Sequence, residues 1–201
     1  MTAGPRTAEL HRGTRETTIE AKLALDGSGV ATIHTGLGFF DHMLTSLVRF
    51  ARFDLSLRCA GDLAVDDHHT VEDVALVLGR LLDQALGQRQ GIERVGWALQ
   101  PMDEALARVA IDLSGRPAAV VALGFQRERI GDVATESLTH AIESLATALR
   151  AAVHVELLHG RNDHHRAEAA FKGLGLALRQ AVRRLEGEEA AAVLSTKGVI
   201  E

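Results

Sequence analysis

Hydrophobic positions along the chain switch between two rhythms. From Leu10 to Leu25 apolar and polar residues alternate, most clearly over Thr17 to Leu25, the period-two pattern of a half-buried strand. Asp26-Gly27-Ser28-Gly29 then reads as a hairpin turn into a second strand, Val30 to Thr35. Beyond Gly36 and Gly38 the spacing lengthens to three and four: Leu44, Leu47, Val48 and Ala51 predict a helix that begins near His42 and runs to about Phe53. A strand at Asp54 to Cys59 and a helix from about Thr70 to Leu86, ended by Gly87, complete a first round. The second round has a break at Pro101, a strand at Ala105 to Leu113, and a tight turn at Ser114-Gly115-Arg116-Pro117 into Ala118 to Leu123. A helix from Thr135 to Ala151, a strand at Val153 to Leu158 and a helix from His164 to Leu185 follow. The order strand, strand, helix, strand, helix therefore occurs twice. It predicts an internally duplicated α+β fold with halves at residues 1–90 and 91–201, forming one compact domain. Each half is a small sheet covered on one face by two helices, and the helices pack between the sheets.

The duplication carries chemistry. Asp67-His68-His69-Thr70-Val71-Glu72 and Asp163-His164-His165-Arg166-Ala167-Glu168 each contain H-H-x-x-E, 96 residues apart, where random placement predicts only about 0.04 copies in a chain with this many His and Glu. On a helix the first His and the Glu stand at i, i+4 and the second His and the Glu at i, i+3, so each Glu can meet either imidazole. Adjacent His residues diverge by about 100°, which suits them to two different ions. Upstream, His42 and His140 stand at matching distances, each beginning an apolar helical stretch. His42, His68, His69 and Glu72, then His140, His164, His165 and Glu168, are the candidate ligands: two sites of three His and one Glu each. Imidazole with carboxylate and no thiolate suits Mn, Fe, Co, Ni or Zn in an open site. His11, His34, His154 and His159 have no counterpart across the repeat and are read as non-ligands, His154 as structural.

Composition narrows the classes. A net charge of −5 argues against nucleic acid as partner, and with six Phe, one Trp and no Tyr the chain lacks a surface for stacking bases. Cys59 is the one cysteine, and no apolar run approaches the ~20 residues of a membrane span. A cytoplasmic protein without membrane contact is expected. Basic residues in turns and tail, Arg94, Arg116, and Ser195 with Lys197, make a second constellation suited to holding a phosphate, and Lys172 lies one helical turn beyond Glu168.

At these residues the chain resembles the imidazoleglycerol-phosphate dehydratase family of histidine biosynthesis, from Arg12 to Gly198. The matching stretches are Arg12-x-Thr14-x-Glu16-Thr17, Thr35-Gly36-x-Gly38-Phe39-Phe40-Asp41-His42-Met43-Leu44, Asp67 to Asp73, Pro101-Met102-Asp103-Glu104-Ala105, Ser114 to Pro117, Asn162 to Lys172 and Ser195-Thr196-Lys197-Gly198. After His140 the family has an aromatic pair where this chain has Ala141-Ile142. The resemblance implies a lyase that dehydrates D-erythro-imidazole glycerol phosphate to imidazole acetol phosphate, and because no carbonyl acidifies the proton lost, the route expected from the chemistry is through a metal-bound imidazolate. The resemblance also implies two manganese ions (Mn2+) per active site and a homo-oligomer of 24 subunits with sites between subunits. On the same resemblance, Glu16 and Lys172 are expected to join the eight metal ligands in catalysis, and Glu16, Arg94, Arg116, Lys172, Ser195 and Lys197 to contact the substrate. A non-catalytic metal-binding shell protein is the alternative, and it leaves Glu16, Arg116 and the Ser195-Thr196-Lys197 tail without a role.

Overall fold

The computed structural model describes residues 4–187, 190 and 192–200; residues 1–3 and 201, at the outer ends of the two halves, lie outside the described residues, as do 188, 189 and 191. The first half comprises β1 (Thr7–Gly13), β2 (Thr17–Ala24), β3 (Ala31–His34), α1 (Gly38–Ala51), β4 (Asp54–Gly61) and α2 (His68–Leu86). The second comprises β5 (Val95–Met102), β6 (Ala105–Asp112), β7 (Ala118–Ala122), β8 (Arg129–Ile130), β9 (Val133–Ala134), α3 (Thr135–Leu149), β10 (Ala152–His159) and α4 (Asp163–Ala181). The strands form two four-stranded sheets of matching order, β1-β2-β4-β3 and β5-β6-β10-β7, and β8 pairs with β9.

The period-two pattern does its work in β2, where Thr17, Ile19, Ala21 and Leu23 are buried and the intervening residues face outward. Those inner faces receive the helices: α2 packs on β1 and β2, and α4 on β5 and β6. Between the sheets, α1 meets α4 and α2 meets α3, so each helix of one half is paired with a helix of the other. The apolar stripes supply the core, with Phe40, Met43, Leu47 and Val48 of α1 and Leu78, Leu81 and Leu82 of α2 almost fully buried. Close approach needs two glycines. A Cβ on Gly175 of α4 would stand 2.4 Å from the Leu47 carbonyl oxygen of α1, and one on Gly79 of α2 would stand 2.7 Å from both Leu145 O and Ala148 Cβ of α3.

Three strand expectations need correction. Leu10 to Leu25 is not one strand but the hairpin of β1 and β2, folded back where Thr14 Oγ1 accepts hydrogen bonds from the amides of Glu16 and Thr17 at 3.1 and 3.0 Å. Asp26 to Gly29 is not a hairpin turn either. Asp54 Oδ1 accepts from the Ser28, Gly29 and Val30 amides at 2.8, 3.1 and 2.9 Å, which leads the chain to the far side of β4, where β3 lies parallel to it with β4 between β3 and β2. Pro101 does not end a segment: it lies within β5, at the edge of its sheet, where a missing amide can be tolerated.

Candidate functional site

Within each half the long helices follow parallel strands, β3 with β4 and β7 with β10, so both helices start at the same edge of their sheet. The local sequence fixes those starts. Asn162 is the side-chain N-cap of α4 and accepts from the His164 amide, while Asp66, one residue ahead of the α2 N-cap Asp67, accepts from the His68 amide, both at 2.9 Å, so in each copy a side chain two residues before the first His holds that His amide. The next residue in each copy, Asp67 or Asp163, is buried. Asp67 accepts from the Ala134 amide at 2.9 Å, and Asp163 from the Gln126 and Arg127 amides at 2.8 and 2.7 Å. From the β8–β9 turn, Asp132 receives the Gly38 and Phe39 amides at the start of α1. The segment from Gln126 to Ala134, which has no equivalent in the first half, thus pins the N-termini of α1, α2 and α4 and leads directly into α3.

Those four helix starts bring the predicted donors into two clusters, and each cluster mixes the halves. His42, His164 and Glu168 form one, and His68, Glu72 and His140 the other; in each, one donor atom per residue lies within 4.8 Å of the others. His42 Nε2 and His164 Nε2 stand 3.7 and 3.6 Å from the two oxygens of Glu168. His140 Nε2 and His68 Nε2 stand 3.2 and 4.0 Å from the two oxygens of Glu72. Ligand bonds near 2.0–2.2 Å place neighbouring donors about 3–3.6 Å apart, so both clusters approach the geometry of half a coordination shell. Burial lowers the His164 pKa, which favours the neutral, lone-pair form. Burial of Glu168 raises its pKa, but Lys172, with Nζ 2.8 Å from Oε1, and the nearby imidazoles outweigh this and keep it ionised. In α2 the position one turn beyond Glu72 is Leu76, where α4 has Lys172, so the two clusters are not equivalent in charge.

The expectation of three His and one Glu per site is not met within one chain. Each cluster holds two His, because on a helix the second His of each motif must face elsewhere. His69 Nδ1 meets Asp62 at 3.0 and 3.2 Å, and its Nε2 lies 3.7 Å from exposed Glu16. His165 Nδ1 meets Glu104 at 2.7 Å, and its Nε2 lies 3.6 Å from exposed Asp103. Hydrogen bonding to Asp62 and to Glu104 raises the pKa of His69 and His165 respectively. Glu104 is held down at about 2 by the His165 bond and then by the amides of Asn162 and Arg161.

Arg94, Arg116, Ser195 and Lys197 come together around an open pocket of about 550 Å3. Arg94 is already committed: its guanidinium grips Asp112 at 2.7 and 3.0 Å and donates to the Leu194 carbonyl, so it ties the tail beside Arg116. The Arg94 amide also bonds Ala181 O at the C-terminal end of α4, whereas Glu168 is near the N-terminal end. Thirteen residues of helix separate those positions by about 20 Å. The pocket and the clusters of one chain therefore stand at opposite ends of α4. His154, read as structural, is exposed on the outer face of β10.

Reading the sequence missed Asp62, Asp103 and Glu104 around the outward His residues, Asp132 at α1, and the two helix-contact glycines. Signals existed for some of them: Gly79 and Gly175 each stand eleven residues after the first His of their motif, and Asp103 and Glu104 lie in one of the stretches that carry the family resemblance. Asp62 directly follows β4, whereas Glu104 sits in the β5–β6 turn, so these carboxylates share no repeat position.

Comparison with known proteins follows the same residues. The family model described as Imidazoleglycerol-phosphate dehydratase matches residues 35–178. An imidazoleglycerol-phosphate dehydratase of Methanothermobacter thermautotrophicus is 53% identical, over 93% of this chain and 94% of its own. One of Phytophthora nicotianae is 50% identical over 98% of this chain, which spans 43% of that longer protein. Among solved structures, the enzyme of that family from Pyrococcus furiosus superposes with a TM-score of 0.80 at 37% identity, covering 94% of this chain and 99% of its own. The chain belongs to the imidazoleglycerol-phosphate dehydratase family.

Proposed function

We propose that this protein is a hydro-lyase that removes water from D-erythro-imidazole glycerol phosphate in histidine biosynthesis, giving imidazole acetol phosphate, at sites completed by neighbouring subunits and holding two Mn2+ each. The single observation that carries the reading is the division of the chemistry within one chain. Two three-donor clusters and two outward imidazoles lie at one end of the helical layer, and a basic pocket lies about 20 Å away at the other. One substrate cannot span that distance, so a phosphate held in the pocket of one chain serves the clusters of another. The outward Nε2 atoms of His69 and His165 suit the same arrangement, as fourth donors to ions seated in other chains. The 24-subunit count is carried by the family resemblance.

The donor set fits a hard-to-intermediate divalent ion: imidazole nitrogens and carboxylates, no sulfur, and positions left open for a ligand. His42, His164 and Glu168 in one cluster and His68, Glu72 and His140 in the other would hold Mn2+, which would supply the Lewis acidity needed to make the substrate's imidazole ring acidic enough for the neighbouring hydroxyl to leave. Glu168 and Glu72 supply the negative charge that holds such ions, and Lys172 restrains Glu168 in place. Glu16, exposed with a carboxylate oxygen 3.7 Å from His69 Nε2, is one candidate to take the proton from the next carbon of the substrate, C2, and to return one as the enol becomes the ketone, and a water in the site is the other. Arg116, Ser195 and Lys197 orient the phosphate, with Arg94 fixing the tail that carries the last two.

The test is turnover of imidazole glycerol phosphate by the Mn2+-loaded protein, followed by mass spectrometry. Loss of one water with the phosphate retained is expected, with Glu16→Gln strongly impaired. Metal uptake without turnover would instead support the shell protein, and normal turnover by Glu16→Gln would remove the role given to that residue.

A further inference from the structure

We propose that Glu104 is a positioning residue that decides which ring nitrogen of His165 carries the proton, and that it does so in a way Asp62 does not share for His69. The inference rests on the reading of His165 as an outward ligand to another chain's ion. A metal-binding imidazole needs a lone pair on the coordinating nitrogen, and the hydrogen bond made by its other nitrogen sets the tautomer.

The two carboxylates differ in what their oxygens do. Glu104 Oε1 accepts from the Arg161 and Asn162 amides at 3.0 and 2.8 Å, which leaves Oε2 to face His165 Nδ1 at 2.7 Å. A carboxylate only accepts, so Nδ1 keeps the proton and Nε2 presents its lone pair outward. Among the described residues, the Asp62 carboxylate bonds no backbone amide; both of its oxygens face His69 Nδ1, at 3.2 and 3.0 Å.

Near-isosteric amides therefore have opposite consequences. In Glu104→Gln the amide oxygen must stay on the two backbone N–H donors, because an NH2 group there would meet donors with donors. The NH2 is then forced onto His165 Nδ1, which must accept, and the proton moves to Nε2, where it blocks a cation. In Asp62→Asn nothing fixes the amide, which can turn its oxygen to Nδ1 and leave His69 unchanged. A merely structural role for Glu104 predicts no such inversion, since Gln preserves the size and the loop contacts.

The experiment is solid-state 15N NMR of the full-length, histidine-labelled protein after chelation, at a pH above the imidazole range, with assignment by His165→Gln and His69→Gln. His165 and His69 should both be protonated at Nδ1 in the wild type and in Asp62→Asn. In Glu104→Gln, His165 alone should shift to Nε2–H. Titration with Mn2+, read by electron paramagnetic resonance of the free ion, should show affinity reduced about 10- to 100-fold in Glu104→Gln and little changed in Asp62→Asn. Retention of Nδ1–H at His165 in Glu104→Gln overturns the proposal, as does Nε2–H in the wild type, a result that needs no variant to fold. An inverted tautomer together with a wild type that takes up no Mn2+ would sustain the role of Glu104 and overturn the metal reading instead.

Discussion

Gly175→Ala perturbs the packing that brings α1 and α4 together without touching any candidate metal ligand. The added methyl would stand 2.4 Å from Leu47 O, 2.9 Å from Phe50 Cβ and 3.0 Å from the Ala51 amide nitrogen, whereas ordinary contact begins near 3.4 Å. Two of these neighbours are backbone, so the helices must part by about 1 Å. Because backbone atoms must give way, the overpacking cost lies at the upper end of the usual range, about 3 kcal/mol, and the better helix propensity of Ala returns up to about 1 kcal/mol, leaving a net loss of roughly 2 kcal/mol. The separation propagates to the start of the pair, where His42 of α1 faces His164 and Glu168 of α4. Metal–ligand distances tolerate only about ±0.2 Å, so even a third of the shift is enough to loosen that cluster. Differential scanning fluorimetry should show a melting temperature several degrees lower, at roughly 2–4 °C per kcal/mol. Mn2+ titration should show weakened binding. Gly13→Ala, with open space around the new methyl, is the control. A Gly175→Ala protein that melts at the wild-type temperature or above and binds Mn2+ normally would refute the claim that close helix contact builds the site.

Asp163→Ala removes the buried carboxylate that accepts the Gln126 and Arg127 amides, and hydrogen bonds to a charged group contribute about 1.5–3 kcal/mol each, so thermal unfolding should shift down clearly; an unchanged melt would mean the segment is held by other contacts. Arg116→Ala should raise KM for the phosphorylated substrate while leaving Mn2+ affinity intact, because the basic pocket and the clusters lie at opposite ends of α4; parallel loss of metal would contradict that separation. Burial and the nearby Asp73 and Asp41 charges push the Cys59 thiol up to about 11, leaving roughly one thiolate in a thousand at pH 8. Native protein should resist thiol reagents and react fully once denatured, and rapid labelling of the native state would show that β4 opens.

Chemistry was more legible in the chain than topology. The doubled H-H-x-x-E, with His42 and His140 at matched distances, identifies every member of both clusters, because a helix turns neighbouring sequence positions into fixed directions. Which donors meet is another matter. That His42 joins Glu168 and not Glu72 depends on α1 packing against α4, a contact written in small residues such as Gly175 and not in the polar pattern. Strand pairing failed for a related reason: β3 lies beyond β4 and not beside β2, where one carboxylate, Asp54, holds three amides of the intervening loop, and no periodicity reports that bond. Carboxylates behind the outward His residues come from unrelated loops, so the repeat that exposes the candidate ligands conceals their supports.

The most direct measurement is crystallography of the assembled, Mn2+-loaded protein with data at the manganese absorption edge. Two anomalous peaks per chain are expected, one bonded to His42, His164 and Glu168 and one to His68, Glu72 and His140. The fourth protein donor to each should be a His69 or His165 from another chain. Peaks lying elsewhere, or shells completed wholly by donors of a single chain, would contradict the account.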